Sequence, residues 1–485
     1  MMETAIRSRG IIVFGGGTAT NSLVDVFEIL RRSHNCTLKY VIPISDNGGS
    51  SSELIRVFGG PGIGDVRSRL VRLIPKAETD LERASIGALF NYRLSSNPGE
   101  ARTEWLDIVE GRHALWRDIS SEKRELIRSI FNHMNLEIVR RARPSSVFNF
   151  AKASIGNLFL TGARLFTGSF ESAIYLLSTI CTIPSTVTTL PSINSNFTHH
   201  ICAELADGSR ITGQNAISHP SAPTSLPDTV FSSTTSDETE AHDRIEDATL
   251  PGSLPSLRKP YIEFTKPSPH SSSTQTPTPT STSTSTSSPP SPSPSPPHPT
   301  TDDLPARISR IYYINPYGHE IFPLANPKLT DSLESAKAII YSIGSLYTSL
   351  VPNLVLRGVG RAITASAARH KILILNSSID RETGPADQPL TATEFVRAIV
   401  RAAATDGGGE AEVNRYVTHL LYLEGEGVPK VDKAELAGLG VECMRVYGRR
   451  VEGMLCYDEA GLAGALEAVI GKPELARSRR NTSGQ

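Results

Sequence analysis

The stretch ISDNGGSSSEL, residues 44–54, follows an apolar run with an acid, an amide, two glycines and three serines. The run itself, LKYVIPI at residues 38–44, is short and bounded by turn-forming residues, which is typical of a buried β-strand. The residues after the glycines have the composition of a helix. We therefore predict a strand-to-helix connection that places Asp46 and Asn47 at the carboxyl end of a strand, where ligands bind in open α/β sheets.

Two interpretations of this connection compete. In the first, Asp46 only closes an Asx turn that leads into the next helix. In the second, the two glycines and the serines Ser50, Ser51 and Ser52 form a backbone nest that binds an anion. Asp46 beside such a nest would hold Mg²⁺ or a ribose hydroxyl.

Strand and helix patterns alternate along the rest of the chain. Strands are predicted at residues 10–14, 38–44, 307–315, 337–345 and 370–378. Helices are predicted at residues 21–33, around 66–74, 101–112, 121–140 and 157–180, and at 327–336, 354–366 and 391–404, the last capped by Thr391. Residues 200–213 are predicted to form a hairpin that turns at Asp207 and Gly208. This alternation predicts one α/β domain with a mainly parallel sheet.

A Ser/Thr/Pro-rich segment interrupts the alternation. From Ser271 to Pro297 every residue except Gln275 is Ser, Thr or Pro, and such a composition buries too little apolar surface to offset the entropy lost on folding. We predict a disordered insertion at 221–303 that serves as a tolerated surface loop or a site of phosphorylation. The predicted domain has its first part at 10–220, its second part at 304–470, and a disordered tail at 471–485.

Composition and charge exclude several classes of protein. Lys and Arg number 49 and Asp and Glu 50, so the net charge of -1 provides no general attraction to nucleic acid or to an anionic membrane. The five cysteines are scattered without a CxxC pair, so neither a disulfide framework nor a zinc site is indicated. The apolar run IIVF is too short for a signal peptide, and no stretch approaches the roughly 20 residues of a membrane span. A reduced, cytoplasmic protein is expected.

The motif VFGGGTATN, residues 13–21, lies at the first strand-to-helix connection. Its three glycines would let the backbone approach a phosphate at a helix N-terminus, and Thr18 and Thr20 would add hydroxyl groups. A tight structural turn explains the same glycines. The motif is neither a complete GxGxxG nor a Walker A sequence with its lysine.

The motif FGGPGIGDVRSRL, residues 58–70, forms a glycine-rich loop before a helix that Asp65 is predicted to cap. Arg67 and Arg69 fall in the first turns of this helix, where a cation opposes the helix dipole. This location indicates that at least one of them faces an anion, although a solvated helix face is an equal alternative.

Two more motifs carry polar groups near helix starts. In SIGSLYTSLVPNL, residues 342–354, hydroxyl groups follow a glycine turn at the end of a strand. In ASIGNLFLTG, residues 153–162, Gly156 and Asn157 lie at a predicted helix start, where an asparagine acts as a cap more often than as a ligand contact.

In this order, the motifs GGGT, SDNGGSS, PGIGDVRSRL, SIGNLFL and GSLYTSLVPNL resemble those of the CofD-like proteins. That family includes the 2-phospho-L-lactate transferases of deazaflavin cofactor synthesis and the bacterial gluconeogenesis factors that bind UDP-sugars. The resemblance covers about residues 10–220 and 304–470. The pattern of the bacterial factors, with DDGGSS, GD(I/V)R, VGNL and GPGSLYTS, is the more similar one, and five ordered motifs are specific for the family but not for the reaction.

The resemblance implies a Rossmann-like three-layer α/β/α fold that binds a nucleoside diphosphate derivative, either a GDP-type ester or a UDP-sugar, across the strand ends. Asp46 matches the first acid of the family's motif and is the predicted catalytic or metal-binding residue, with Mg²⁺ as the implied cofactor. The residues predicted to contact the nucleotide or its phosphates are Gly15, Gly16, Gly17, Thr18, Asn47, Gly48, Gly49, Ser50, Ser51, Gly64, Asp65, Arg67, Gly156, Asn157, Gly344, Ser345, Tyr347 and Thr348.

Two departures from the family pattern bear on function. Asn47 stands where the bacterial factors carry a second acid, and if both acids hold Mg²⁺ its loss lowers the affinity. The turn at residues 342–345 reads SIGS instead of GPGS, so its proline and first glycine are missing.

Two functions remain open from the resemblance. In the transferase, an acceptor hydroxyl attacks the β-phosphorus of a GDP ester of lactate, GMP leaves, and Mg²⁺ assists. In the alternative, the protein binds a UDP-sugar without turnover and regulates carbon metabolism and cell shape. An NAD(P)-dependent enzyme is less favoured, because GxGxxG is absent and Asp46 lies roughly thirty residues beyond Gly15 where about twenty are expected. Neither nucleic acid nor membrane is expected as a partner, and a homodimer is left open.

Overall fold

The computed structural model describes residues 9–75, 80–144, 146–219, 303–385, 387–404 and 412–471. The strands within these ranges are β1 Ile11–Phe14, β2 Leu38–Ile42, β3 Val187–Pro191, β4 His200–Leu205, β5 Arg210–Thr212, β6 Ile308–Ile314, β7 Glu320–Ile321, β8 Ala338–Tyr341, β9 His370–Ile374, β10 His419–Tyr422, β11 Glu442–Arg445, β12 Gly448–Val451 and β13 Met454–Tyr457.

The α-helices within the same ranges are α1 Thr18–Asn21, α2 Val24–Ser33, α3 Ser50–Phe58, α4 Gly64–Arg72, α5 Leu81–Asn91, α6 Pro98–Val109, α7 Ser121–Arg141, α8 Ile155–Thr167, α9 Phe170–Ile180, α10 Gln214–Ser218, α11 Pro327–Glu334, α12 Val351–Leu354, α13 Val359–Ala365, α14 Ala392–Ala403, α15 Lys433–Gly438 and α16 Glu459–Ile470. Short 3₁₀ helices lie at Ala114–Trp116, Arg381–Thr383 and Val413–Arg415, and a π-helical turn at Leu346–Leu350 leads into α12.

A seven-stranded parallel sheet forms the centre of the fold, in the order β11-β10-β9-β8-β1-β2-β3. All residues of β1 and β8 are buried, which explains their continuous apolar sequences. Along β1, Ile12 and Phe14 join one apolar cluster, whereas Ile11 and Val13 join another. Helices therefore cover both faces of the sheet, and the predicted Rossmann-like three-layer α/β/α fold is confirmed.

A second, antiparallel sheet has the strand order β5-β4-β6-β7. The hairpin predicted at 200–213 is confirmed, with Gly208 in the left-handed region at φ 86°. The predicted strand at 307–315 is present as β6, but it pairs antiparallel with β4 and β7 and not within the parallel sheet. The alternating pattern could not show this, because periodicity reports burial and not the pairing partner.

Two predicted helices have different bounds in the structure. The single helix expected at 157–180 is divided into α8 and α9 at Gly168, which adopts a left-handed conformation. The helix expected at 354–366 begins only at Val359, after the left-handed Gly358. The Thr391 cap of α14 is confirmed, since its hydroxyl accepts a hydrogen bond from the Glu394 amide.

The predicted insertion at 221–303 lies outside the described residues except for Asp303, as does the predicted tail at 471–485 except for Gly471. The strands on either side of the insertion are directly paired, because β4 precedes it and β6 follows it. The two parts of the chain therefore build one fold.

The five cysteines are free thiols, as the sequence predicts. Within the described ranges, no helix has both the length and the apolar character that a membrane crossing requires.

Candidate functional site

The strand order places a crevice between β1 and β8. The chain proceeds from β1 to β2 and β3 on one side of the sheet, and then returns to β8 on the other side of β1. The connections after β1 and β8 therefore diverge at the carboxyl ends of the strands, which is where open α/β sheets bind their ligands. The predicted loops at 15–18 and 342–345 lie at this point.

The glycines after β1 are closely approached by protein groups. A Cβ atom on Gly16 would lie 2.6 Å from the Ser349 Oγ, and one on Gly17 would lie 2.4 Å from the Asp65 Oδ1. The buried Arg69 donates a hydrogen bond of 2.9 Å to the Gly16 carbonyl oxygen, so this arginine supports the loop. Close packing is therefore sufficient to explain the glycines at positions 16 and 17. Thr18, by contrast, is exposed at the start of α1.

Asp46 follows β2 and uses both carboxylate oxygens within its own loop. Its Oδ1 accepts a hydrogen bond of 2.9 Å from the Gly48 amide, which closes the predicted Asx turn, and its Oδ2 accepts one of 3.3 Å from the Ser51 hydroxyl. Burial raises the pKa of Asp46, although these two bonds and the nearby Arg67 oppose the shift. The turn does not cap α3, whose N-cap is Gly49 without a side-chain hydrogen bond.

Asp65 lies beside Asp46 and forms an acidic pair with it. A Cβ atom on Gly64 would lie 2.3 Å from the Asp46 Oδ2, so the Asp46 carboxylate packs against the backbone that precedes Asp65. Burial and the negative charge of Asp46 raise the pKa of Asp65 to about 7, against the opposing effects of Arg69 and the Gly17 amide. The predicted capping role of Asp65 is wrong, since the N-cap of α4 is Ile63 and Asp65 occupies the first turn.

Arg67 is the cation of α4 whose charge acts on both members of the acidic pair, whereas the charge of Arg69 acts on Asp65. The Arg67 side chain is 8% exposed, and its charge lowers the pKa of both Asp46 and Asp65. One terminal nitrogen donates to the Asn91 Oδ1 at 3.1 Å, whereas the buried Nε has no hydrogen-bond partner. Arg69, by contrast, stacks its guanidinium 4.4 Å from the centre of the Tyr40 ring and supports the fold.

Asn47 is directed toward the antiparallel sheet. Its Oδ1 accepts a hydrogen bond of 3.0 Å from the amide of Asn215 at the start of α10. Its neighbour Ser45 donates a bond of 2.9 Å to the Gln214 Oε1. Residues on both sides of Asp46 thus attach the β2 loop to α10, and the Asn47 Oδ1 already accepts a hydrogen bond from the protein.

The hydroxyl motif after β8 is held by an acid that the sequence analysis missed. Glu382 is 1% exposed, and its Oε2 accepts hydrogen bonds from the amides of Tyr347 and Thr348, both at 3.0 Å. Its Oε1 accepts from the hydroxyls of Thr348 at 2.5 Å and Ser218 at 2.7 Å. The sequence DRET could have predicted the short helix that contains Glu382, because Asp380 and Thr383 form a capping box around it.

The Tyr347 hydroxyl donates to the Ile308 carbonyl oxygen at 3.2 Å, and its ring lines a mostly apolar cavity of about 150 Å³ between β6 and α14. Gly344 exchanges two hydrogen bonds with the Asn376 side chain, at 3.0 and 2.9 Å. Ser345 is the N-cap of the π-helical turn. The structure thus brings Gly344 and Ser345 to the crevice, whereas the polar groups of Tyr347 and Thr348 are bonded to the protein.

Asn157 lies at the start of α8 and faces the β2 loop. Its Nδ2 donates a hydrogen bond of 2.9 Å to the Ser50 Oγ, and its buried Oδ1 has no hydrogen-bond partner. The neighbouring Gly156 packs against Arg67, since a Cβ atom there would lie 2.7 Å from the Arg67 Cγ. Five predicted residues, Asp46, Ser50, Asp65, Arg67 and Asn157, therefore surround one region.

The acidic pair fits a divalent cation. Mg²⁺ is commonly held by one or two carboxylates together with substrate phosphates and waters. Within the described part of the chain, no group of three or more His, Cys, Asp or Glu side chains is arranged for a metal. Asp46 and Asp65 alone would leave open positions for a diphosphate.

The chain belongs to the CofD family. The family described as 2-phospho-L-lactate transferase CofD matches residues 11–443, which confirms the resemblance expected from the motifs.

Relatives and solved structures agree with this assignment. An uncharacterized protein of Saccharomyces cerevisiae is 35% identical over 459 residues, which cover 90% of this chain and 95% of that protein. A putative gluconeogenesis factor of Nostoc sp. is 26% identical over 211 residues, or 44% of this chain and 32% of that protein. A crystal structure of a UPF0052 family protein from Bacillus halodurans matches with a TM-score of 0.55 and 19% identity, covering 94% of this chain and 99% of that chain, and supports the fold.

Proposed function

We propose that this protein binds a nucleoside diphosphate ester across the crevice between β1 and β8, and that Asp46 and Asp65 hold Mg²⁺ against its diphosphate. The reaction is transfer of a phospho-lactyl-type group from the ester to a hydroxyl acceptor, as in the 2-phospho-L-lactate transferases for which the family is described. The observation that carries the proposal is the acidic pair at the carboxyl ends of the strands, where the Asp46 carboxylate packs against Gly64 and where burial and the charge of Asp46 raise the pKa of Asp65.

The pair has a physical cost that a ligand would remove. Two carboxylates in one shielded site repel each other, and no protein cation makes a direct ion pair with either of them among the described residues. A Mg²⁺ ion bound there would neutralise this charge together with that of the diphosphate. Proteins retain such electrostatic strain most often at functional sites.

The chain's own groups would position and neutralise the reactants. The backbone after β1, at Gly15–Thr18, and after β8, at Gly344–Ser345, would face the phosphates. Transfer forms a bond between the acceptor oxygen and the β-phosphorus, breaks the bond from that phosphorus to the bridging oxygen, and releases the nucleoside monophosphate. The acceptor proton passes to solvent as the new bond forms, because carboxylates that hold Mg²⁺ stay deprotonated and act as ligands of the ion.

Ligand selectivity tests this proposal. We expect GDP, or a GDP ester, to raise the melting temperature of the purified protein in the presence of Mg²⁺ and to do so much less in EDTA. Binding that is unchanged by removal of Mg²⁺ would contradict the proposed role of the acidic pair. Turnover is tested by incubating the protein with a GDP ester of lactate and a deazaflavin alcohol, and measuring the release of GMP.

A second candidate is a UDP-sugar-binding regulator without turnover. It is favoured by relatives that are named gluconeogenesis factors, and by Asn47, whose oxygen is bonded to Asn215 and adds no charge to the site. This candidate predicts that UDP-N-acetylglucosamine stabilises the protein with or without Mg²⁺, whereas GDP and its esters do not. The same thermal-shift experiment therefore separates the two functions.

A further inference from the structure

A cavity outside the nucleotide crevice lies between the antiparallel sheet and α14. Its volume is about 150 Å³, and its walls include Ile311 and Tyr313 of β6, Ile321 of β7, and Ala398 and Ala402 of α14. The two alanines lie four positions apart on one face of the helix, and their small side chains leave space opposite the sheet. An apolar cavity of this size holds a molecule about as large as benzene.

The cavity opens at the protein surface. Phe322, directly after β7, lines the cavity although 59% of this residue is exposed. Arg401, in the last turn of α14, also lines the cavity and is exposed. A small molecule can therefore enter from solvent, and its apolar part would leave water as it fills the space between sheet and helix.

Arg401 provides a positive charge at this opening. One of its terminal nitrogens donates a hydrogen bond of 3.1 Å to the Ser309 carbonyl oxygen, and Ser309 lines the same cavity. Within the described ranges, no carboxylate forms an ion pair with Arg401. A guanidinium carries five N–H donors in a planar fork, so Arg401 keeps donors for a planar anion.

Two further charged residues of the lining, Arg310 and Glu320, neutralise each other. Arg310 pairs with Glu320 at 2.9 Å and with Glu204 at 3.1 Å. Its guanidinium also stacks 4.3 Å from the centre of the Tyr312 ring. Arg401 is therefore the cation of the lining that keeps its capacity for a bound anion.

We infer that this cavity binds a small carboxylic acid whose apolar body is about the size of a benzene ring. The body lies between the sheet and α14, and the carboxylate accepts hydrogen bonds from Arg401 at the opening. An amide of the same shape has no charge to pair with the guanidinium, and an ammonium group is repelled by it. The apolar walls and the charge of Arg401 thus each select one part of the ligand.

This site is distinct from the crevice that contains the acidic pair, since neither Asp46 nor Asp65 lines the cavity. Tyr347 lies between the two regions. Its ring lines the cavity, whereas its amide donates to Glu382 at 3.0 Å. The inference therefore does not depend on nucleotide binding, and a failure of the proposed function would leave it intact.

A matched set of probes tests the charge requirement. The compounds 4-fluorophenylacetate, 4-fluorophenylacetamide and 2-(4-fluorophenyl)ethylamine share one ring and carry a negative, a neutral and a positive group. Their dissociation constants for the full-length protein are measured by fluorine NMR titration. We expect the acid to bind about tenfold more tightly than the amide, because its hydrogen bonds with Arg401 are charge-assisted, and the amine to bind more weakly than either.

Three variants locate the site. Arg401→Met should weaken binding of the acid about tenfold, to the level of the amide, and leave the amide within about twofold. Arg401→Lys keeps the charge and should retain part of the preference. Ala398→Phe fills the cavity and should weaken binding of both compounds at least about tenfold. The control is Arg397→Met on the same helix, since Arg397 pairs with Glu435 at 3.1 Å and does not line the cavity.

The outcomes either support the site or overturn it. Equal affinities for the acid and the amide, or a preference that Arg401→Met retains, would show that Arg401 is only a surface cation at the end of α14. Binding that Ala398→Phe leaves unchanged would place the probes elsewhere, and an equal loss in Arg397→Met would indicate a general effect of surface charge. If Ala398→Phe does not fold, the Arg401 variants still decide, because they change an exposed side chain.

Discussion

The acidic pair Asp46–Asp65 and the carboxylate of Glu382 are both shielded from bulk water, but the numbers of hydrogen-bond donors around them differ. Burial and the charge of Asp380 raise the pKa of Glu382 to about 7, and burial and the charge of Asp46 raise that of Asp65 to about 7. Glu382 accepts four hydrogen bonds, from two backbone amides and two hydroxyls. Asp46 accepts two hydrogen bonds and has another carboxylate beside it.

The comparison shows that a raised pKa alone does not identify a functional acid. Around Glu382 the protein supplies the donors that a carboxylate requires, so the residue connects the β8 loop to α10. Each acid has a negative neighbour, Asp380 for Glu382 and Asp46 for Asp65, but the four donors around Glu382 offset its charge whereas Asp46 has two. We therefore assign a structural role to Glu382, the ligand-binding role of the pair remains our proposal, and four measurements test this distinction.

Glu382→Leu should have the largest effect. It leaves the Tyr347 and Thr348 amides and two hydroxyls without an acceptor in a buried region, which we expect to lower the unfolding free energy by about 3 kcal/mol or more. Urea denaturation measures this change. The milder Glu382→Gln provides a folded protein for binding assays, where the nucleotide affinity should change less than about threefold. If Glu382→Gln loses more binding free energy than unfolding free energy, Glu382 belongs to the binding site and its structural assignment is wrong.

Asp65→Asn and Asp46→Asn should reduce the affinity for nucleoside diphosphate in Mg²⁺ about 10- to 100-fold, because each removes a charged ligand of the cation. Calorimetry measures the affinity with and without Mg²⁺. The control is Asp331→Asn, on the exposed side of α11, which should bind as the wild type does. If the Mg²⁺ dependence survives in both variants, the acidic pair does not hold the ion.

The pH dependence of stability should reflect the acidic pair. The folded pKa of Asp65, about 7, is raised above its unfolded value, so its contribution is fully present at acidic pH and is lost as the pH rises toward 7. We expect the unfolding free energy of the metal-free protein to fall by about 1 kcal/mol or more between pH 5 and 7. Asp65→Asn should reduce this slope and leave the part due to Glu382. An identical slope in the variant would contradict the raised pKa.

Asn47→Asp should have the smallest effect. The aspartate can still accept from the Asn215 amide and adds a negative charge next to the pair. We expect Mg²⁺ affinity to rise a few-fold, about 0.5–1 kcal/mol, and the melting temperature without Mg²⁺ to fall slightly. Asn47→Ala separates the loss of the Asn215 bond from the added charge. Unchanged Mg²⁺ affinity in Asn47→Asp would show that position 47 does not contribute to the cation site.

Much of the fold could be predicted because local patterns encode it. The short apolar runs predicted β1, β2, β8 and β9, and the Asp207–Gly208 turn predicted the hairpin. Pairing partners could not be predicted, so the pattern did not show that β6 belongs to the antiparallel sheet. β3, β10 and β11 were missed, since VTTLP, HLLY and ECMR are short and carry little periodicity.

The site was predicted in part. The motifs located Asp46, Asp65, Arg67 and Asn157, which the structure brings together from α4, α8 and the β2 loop. The roles of individual motif residues could be predicted less well. Asp65 was expected to cap a helix, and the hydroxyl of Tyr347 was expected at the nucleotide, but the contacts that decide these roles come from residues distant in sequence.

The sequence by itself determined which segments become strands, where each connection carries glycines and acids, and to which family the chain belongs. These properties depend on periodicity, turn chemistry and motif order, which are local or linear features. Only the tertiary structure decided that Asp65 faces Asp46, that Glu382 is saturated with donors, and that Arg67 and Asn157 each keep one unpaired atom. Hydrogen-bond satisfaction and charge pairing depend on distances between residues far apart in the chain, and those distances exist only after folding.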